Sequence, residues 1–142
     1  MTDTIQIDAQ TRNLARVRAF VRDTIGRSGL AGRALSRVVL AVDEAVSNTM
    51  IHGYFGRGGS VEVNVDVDSS SVRVTILDGG VPYDAARGSE ASLEMDLQKH
   101  IESGARRGLG LFIMRKVMDE IIYTARSGQR NQLTLVKYIG EA

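Results

Sequence analysis

The sequence predicts a two-layer α/β sandwich of the α+β kind, with helices packed on one face of a mostly antiparallel sheet. Three observations predict it. The run "SVEVNVDVD", residues 60–68, alternates apolar and polar without a fault, and a second strand-like run, "VRVTILD", follows a short serine tract; such alternation marks a hairpin with one buried face. Ahead of it lie two stretches with apolar residues at helical spacing. Behind it, residues 120–139 hold two more apolar segments around "SGQRN", a closing hairpin. Helices gathered on one side of paired strands, rather than one helix between each pair, give that layering.

Taken in order, residues 4–8 read as a short strand with Ile5 and Ile7 on one face. Residues 11–25 read as a helix whose buried stripe is Leu14, Val17, Val21 and Ile25, and whose other side carries Arg12, Arg16, Arg18 and Arg22. Gly26 and Gly29 end it, and a second helix runs from about residue 31 to near Gly53. In the 60–68 strand Val61, Val63, Val65 and Val67 share the inward face. Residues 79–107 read as a long polar loop, and loops of that length are usually functional. A third helix is expected from about residue 110 to 118.

Composition bounds the rest. The chain has 142 residues, enough for one domain, 1–142, with a real core. Hydrophobic residues make up 43% and charged residues 25%, and the formal net charge is only +1; no global field draws the protein to nucleic acid or to a membrane. The chain has no cysteine, which suits a reducing cytoplasm, and with two histidines a structural zinc site is not expected. No apolar run approaches the roughly 20 residues of a spanning helix. The arginine side of the first helix reads as a solvated face or a surface for a protein partner.

The second helix carries a peculiarity. Glu44, Asn48 and His52 recur at four-residue spacing, and because each step of four drifts only about 40° they line one narrow stripe. Leu40 and Ile51 flank it on one side, Ala41 and Ala45 on the other, while Asp43, Ser36 and Ser47 supply an ordinary solvent face. A helix with one wet side needs one polar arc, and this one has two. Alone, such a stripe is more often a hydrogen-bonded helix face than a site. Two further stretches give it company: "LDGGVPYD", residues 77–84, where a strand ends in an acid and two glycines, and "RRGLGLFIMRKVMD", residues 106–119, where glycines lead into a helix. Each has a bland reading, as a turn or a helix junction. Together and in this order they describe a nucleotide site. Gly108 and Gly110 let backbone N–H groups approach phosphates at a helix start. Asp78 can accept from an exocyclic amine such as that of adenine, and Gly80 leaves room for a flat ring. Asn48 offers a carbonyl oxygen to Mg²⁺, and Glu44 faces the same cavity as a candidate general base.

These motifs resemble those of the histidine-kinase-like ATPase superfamily, whose ATP-binding domain is the Bergerat fold. "DEAVSNTMIHGY" resembles its N box, E-x-x-x-N-x-x-x-H-A/G; "DGGVPYD" its first glycine box, D-x-G-x-P-F/Y-D; and "RGLGLFIMRKVMD" its second, G-x-G-L-x-I/L with a distal Asp. The resemblance spans nearly the whole chain. A short form with no dimerisation helix pair and no sensor segment is similar to the bacterial anti-sigma-factor serine kinases. What this implies is ATP and Mg²⁺ as cofactors, with Glu44 activating the attacking hydroxyl, Asn48 holding Mg²⁺ and Asp78 reading adenine beside Gly80. Gly108, Leu109 and Gly110 would border the triphosphate, residues of about 85–107 would form the ATP lid, and Arg106 or Arg107 would touch phosphate or partner. The implied partners are a sigma factor and a small antagonist phosphorylated on serine or threonine, in a cytoplasmic homodimer. Two positions depart from the pattern: Gly79 replaces a larger polar residue, and Arg107 stands where many sensor kinases extend the second box with glycine. The alternative is a non-catalytic adaptor whose lid is gated by ATP. A sensor-kinase catalytic domain would need an acceptor histidine from another chain.

Overall fold

The computed structural model describes residues 2–54, 58–80, 113–124 and 130–139. Its sheet has five strands: β1 (Thr2–Asp8), β2 (Ser60–Val67), β3 (Ser71–Asp78), β4 (Glu120–Thr124) and β5 (Asn131–Tyr138). They lie side by side in the order β1-β2-β3-β5-β4, every neighbouring pair antiparallel. Helices α1 (Leu14–Gly26) and α2 (Gly32–Asn48) pack on one another and on one face of this sheet. The expected two-layer arrangement is the observed one.

Alternation sets the inner face. Val61, Val63 and Val65 of β2 lie opposite Asp78, Ile76 and Val74 of β3, and Ile76 and Val74 lie opposite Leu133 and Leu135 of β5. The three β2 valines, Val74 and Leu135 have no exposed surface. From the helix layer, Val17, Val21 and Ile25 of α1 and Val38, Val42 and Val46 of α2 complete the core, with Met114 and Met118 at its side. Val67, expected inside, is half-buried because β2 ends there. The β2–β3 turn is held by Asp68, whose Oδ1 accepts from the backbone N–H groups of Ser70 and Ser71, each at 2.8 Å. The same bonds lower its pKa.

Three elements differ in extent from the sequence reading. β1 begins at Thr2, because its partner β2 continues to Asp66 and Thr2 donates its hydroxyl to the Asp66 carboxylate at 3.1 Å. The first helix enters through a 3₁₀ turn, Thr11–Asn13, since Asn13 spends its side-chain amide on the Asp8 carbonyl at 3.0 Å. Most consequential, α2 stops at Asn48 and residues Thr49–Gly53 form a π-helical turn. Thr49 donates its hydroxyl to the Ala45 carbonyl four residues back, at 3.1 Å. Such back-bonding bends helices, and widened turns gather at functional sites. Of the third helix, residues 113–117 are described and helical. No described helix is long and apolar enough to cross a membrane.

Candidate functional site

The inward stripe of α2 is apolar until its last turn. There Asn48 is 7% exposed, and its Nδ2 is the buried side-chain nitrogen without a hydrogen-bond partner among the described residues. An unmet donor of this kind costs about 1–3 kcal/mol, and folded proteins hold few of them. An amide carries a donor and an acceptor side by side, so this buried group can meet either a phosphate oxygen or a cation.

One turn earlier stands Glu44, half-buried. Desolvation raises its pKa, with the neighbouring charge of Asp43 as a second, smaller cause. Asp43 is not the plain solvent residue that the helix pattern suggested. It packs toward α1 and meets Arg18 Nη1 at 2.9 Å, so part of its own field is compensated and burial dominates at Glu44. A carboxylate that holds its proton more tightly is also a better base.

The second half of the site is the end of β3. Asp78 is 7% exposed, and its Oδ1 accepts from the Gly80 backbone N–H at 2.8 Å and from Asn131 Nδ2 at 3.0 Å. Asn131 Nδ2 also donates to the Gly80 carbonyl at 2.9 Å. Asn131 opens β5 directly opposite Asp78 in the strand register and is 2% exposed. One amide therefore fixes both the carboxylate and the backbone two residues beyond it. The charge is aimed before any ligand arrives.

Tyr54 joins the two halves. Its hydroxyl accepts from the Gly79 N–H at 2.7 Å and donates to the Ser60 carbonyl at 2.7 Å. The end of the π turn is thereby tied to the end of β3 and the start of β2. The ring lies so close to Gly59 that a Cβ on that residue would strike it, which is why a glycine must stand there.

The structure thus places Glu44 and Asn48 on one stripe and Asp78 with Gly80 at the strand end linked to it. Arg106, Arg107, Gly108, Leu109, Gly110 and the 85–107 segment expected as the lid lie outside the described residues, as does the side chain of His52. Sequence reasoning missed Asn131 and Tyr54. Asn131 had a readable signal: it continues the inward alternation of Leu133 and Leu135 with a polar side chain. Tyr54 had none, because its role depends on a fold-level contact 25 residues away in sequence. A separate groove of about 480 Å³ at the β1 edge is lined by Gln6, Asp8, Arg12, Asn13, Arg16 and Ser60 among others, and contains none of these site residues.

Comparison with known proteins identifies the family. Over an alignment of 142 residues, covering 97% of this chain and 92% of theirs, the chain is 28% identical to proteins named anti-sigma F factor. Among these are the ones from Bacillus thuringiensis (strain Al Hakam), Bacillus mycoides (strain KBAB4) and Bacillus cereus (strain AH187). Residues 7–137 match the model of the histidine kinase-like ATPase domain, and since that is nearly the whole chain, the protein belongs to the histidine kinase-like ATPase domain family.

Proposed function

We propose that this protein is an ATP-binding anti-sigma regulatory factor that phosphorylates a serine or threonine of a small antagonist protein and also sequesters a sigma factor. The observation that carries the reading is the pairing on α2 of a base with a raised pKa, Glu44, and an orphaned buried amide, Asn48, one turn apart. The names of the relatives support a sigma factor as partner. In this reading the chain is a single domain, 1–142, that works as a homodimer in the cytoplasm, with residues of about 85–107 as its lid.

Asp78, fixed by Asn131, takes the amino group of adenine, and Gly80 leaves room for the ring. Asn48 would hold Mg²⁺ through its side-chain oxygen. Among the described residues no group of three or more acidic, histidine or cysteine side chains stands together; Mg²⁺ needs only one or two protein groups and would take water and phosphate besides. When bound, the ion neutralises charge on the phosphates. Gly108, Leu109 and Gly110, with Arg106 or Arg107, complete the phosphate end. Glu44 accepts the proton of the incoming hydroxyl while that oxygen bonds to the γ-phosphorus. The bond from this phosphorus to the β–γ bridging oxygen breaks, and ADP leaves. An adaptor without transfer has no need of a general base, and it is not favoured.

The test is transfer from γ-labelled ATP into a lysate of the source organism, wild type beside Glu44→Ala, with Mg·ATP binding measured separately. The expected result is one small labelled protein, reduced roughly 10²- to 10⁴-fold in the variant, while ATP binding is kept. Equal labelling by both proteins would remove Glu44 from the mechanism. No labelling by wild type that binds ATP would leave the gated adaptor.

A further inference from the structure

The hydrogen-bond pattern of α2 changes directly after Asn48. Up to that residue the helix is α, and from Thr49 to Gly53 it is a π turn, the wider form in which a bond spans five residues instead of four. At the junction the Thr49 N–H is shared between the Ala45 and Val46 carbonyls. Shared bonds of this kind are common at helix ends, and this one gives Ala45 only part of a donor. The Thr49 hydroxyl supplies the rest, donating to the Ala45 carbonyl at 3.1 Å. The bonding of the last regular turn is thus completed by one side chain, at the point where α gives way to π.

Asn48 depends on that hold. Its side chain is 7% exposed, and its Nδ2 has no hydrogen-bond partner among the described residues, so the direction of this nitrogen is inherited from the backbone that carries it. That backbone is still helical at the junction, with φ −60° and ψ −41° at Asn48 and φ −60° and ψ −44° at Thr49. Beyond the π turn stands Tyr54, whose hydroxyl accepts from the Gly79 N–H and donates to the Ser60 carbonyl, each at 2.7 Å. The wide turn is therefore held at both ends, and it joins Asn48 to the strand end that carries Asp78. Thr49 is only half-buried, and threonine is a poorer helix former than alanine or leucine. Neither burial nor helix propensity accounts for its presence.

Resting on the ATP reading of the site, we propose that Thr49 is a positioning residue: its bond to the Ala45 carbonyl holds the junction from which Asn48 is aimed at the phosphate end of the nucleotide. Asp78 is fixed separately, by Asn131 and the Gly80 N–H. Loss of the Thr49 hydroxyl therefore misdirects Asn48 and leaves the base end as it is. A cap whose loss merely loosened the fold would weaken both ends alike.

The test separates the two ends by ligand. Mg·ATP reports on both, and adenosine, which has no phosphate, on the Asp78 end alone; both are titrated into the full-length protein and followed by NMR. Thr49→Val keeps the branched shape and removes the hydroxyl, whereas Thr49→Ser keeps a hydroxyl able to bond backwards. Thr49→Val should raise the Kd for Mg·ATP roughly fivefold or more, the worth of one hydrogen bond, and that for adenosine less than twofold. Thr49→Ala, which also lacks the hydroxyl, should behave as Thr49→Val, and Thr49→Ser should stay within twofold of wild type for both ligands. In a double-mutant cycle, adding Thr49→Val to Asn48→Ala should change Mg·ATP affinity less than twofold, because the group that Thr49 aims is gone. The cycle and the serine variant decide the matter where adenosine binds too weakly to titrate. Unchanged Mg·ATP affinity in Thr49→Val, equal losses for the two ligands, or a full further loss in the Asn48→Ala background overturns the positioning role and leaves the ATP reading intact. Wild type that binds neither ligand overturns the ATP reading and this proposal together.

Discussion

Replacing Asn131 tests whether the Asp78 end of the site is built before ligand binding. Asn131→Ala removes two hydrogen bonds from one buried nitrogen, 3.0 Å to the Asp78 carboxylate and 2.9 Å to the Gly80 carbonyl. Bonds to a charged group are worth about 1.5–3 kcal/mol and bonds to a neutral one about 0.5–1.5 kcal/mol. Because both acceptors stay behind in a site that is 7% exposed at Asp78, the loss should fall in the middle of the summed range, about 3 kcal/mol. At roughly 4 °C per kcal/mol for a domain of this size, that is a fall in Tm of about 12 °C. Urea unfolding, monitored by circular dichroism, gives the free energy, and titration with a fluorescent ATP analogue gives the affinity. Asn131→Asp sharpens the test. It keeps the shape but sets a second carboxylate against Asp78, so it should be the worse of the two substitutions in both assays. The reasoning is refuted if Asn131→Ala stays within 0.5 kcal/mol of wild type (the usual size of surface substitutions), or if Asn131→Asp is the milder change.

Three other substitutions probe the remaining parts. Tyr54→Phe loses the donation to Ser60 and leaves the Gly79 N–H without its acceptor; it should cost about 1–3 kcal/mol in urea unfolding and weaken ATP binding, and an unchanged affinity would separate this clamp from the site. Glu44→Gln should raise stability at neutral pH by less than about 1 kcal/mol, since solvent screens much of the shift. The folded pKa is raised, so the favourable contribution of the carboxyl is present below its unfolded pKa and lost as pH rises through the folded one; melts from pH 3 to 8 should show the variant's advantage only above about pH 4. Asp68→Ala should behave in the opposite sense. The folded pKa of Asp68 is lowered, its stabilisation is present above the unfolded value and lost as pH falls through the folded one, and the Tm gap to wild type should narrow in acid.

The legible part of the fold was the part governed by period. Strict alternation in β2 and the 3.6-residue stripe of α1 name the inward residues directly, and the structure buries them: Val61, Val63, Val65, Val17, Val21 and Ile25. The illegible parts depended on contacts between elements. The π turn after Asn48 follows from Thr49 reaching back to Ala45, and a threonine makes that choice only in context. The order β3-β5-β4, with the last strand inserted beside β3, is what brings Asn131 against Asp78. No local pattern announces a strand order. Asp43 was misread for the same reason, since a helix wheel shows which side a residue is on but not that α1 will offer Arg18 there.

The site stands out physically because it carries costs that the fold does not repay. Glu44 is held where its charge is desolvated, and Asn48 is buried with a donor unmet. The alanines and valines around them on α2 carry no such cost. Asp78 is the contrast: it too is buried, but Asn131 and Gly80 satisfy it fully enough to fix its orientation. The division follows what each group has to do. A group that reads a ligand by shape gains from being fixed in advance, because ordering it at binding would reduce affinity. A group that accepts a proton, or that donates to an incoming phosphate oxygen, gains from being left unsatisfied, because any partner supplied by the fold would have to be displaced first. Satisfied at the strand end and unsatisfied on the helix, the site has a polarity of its own, and in the proposed reading recognition falls at Asp78 and chemistry at Glu44.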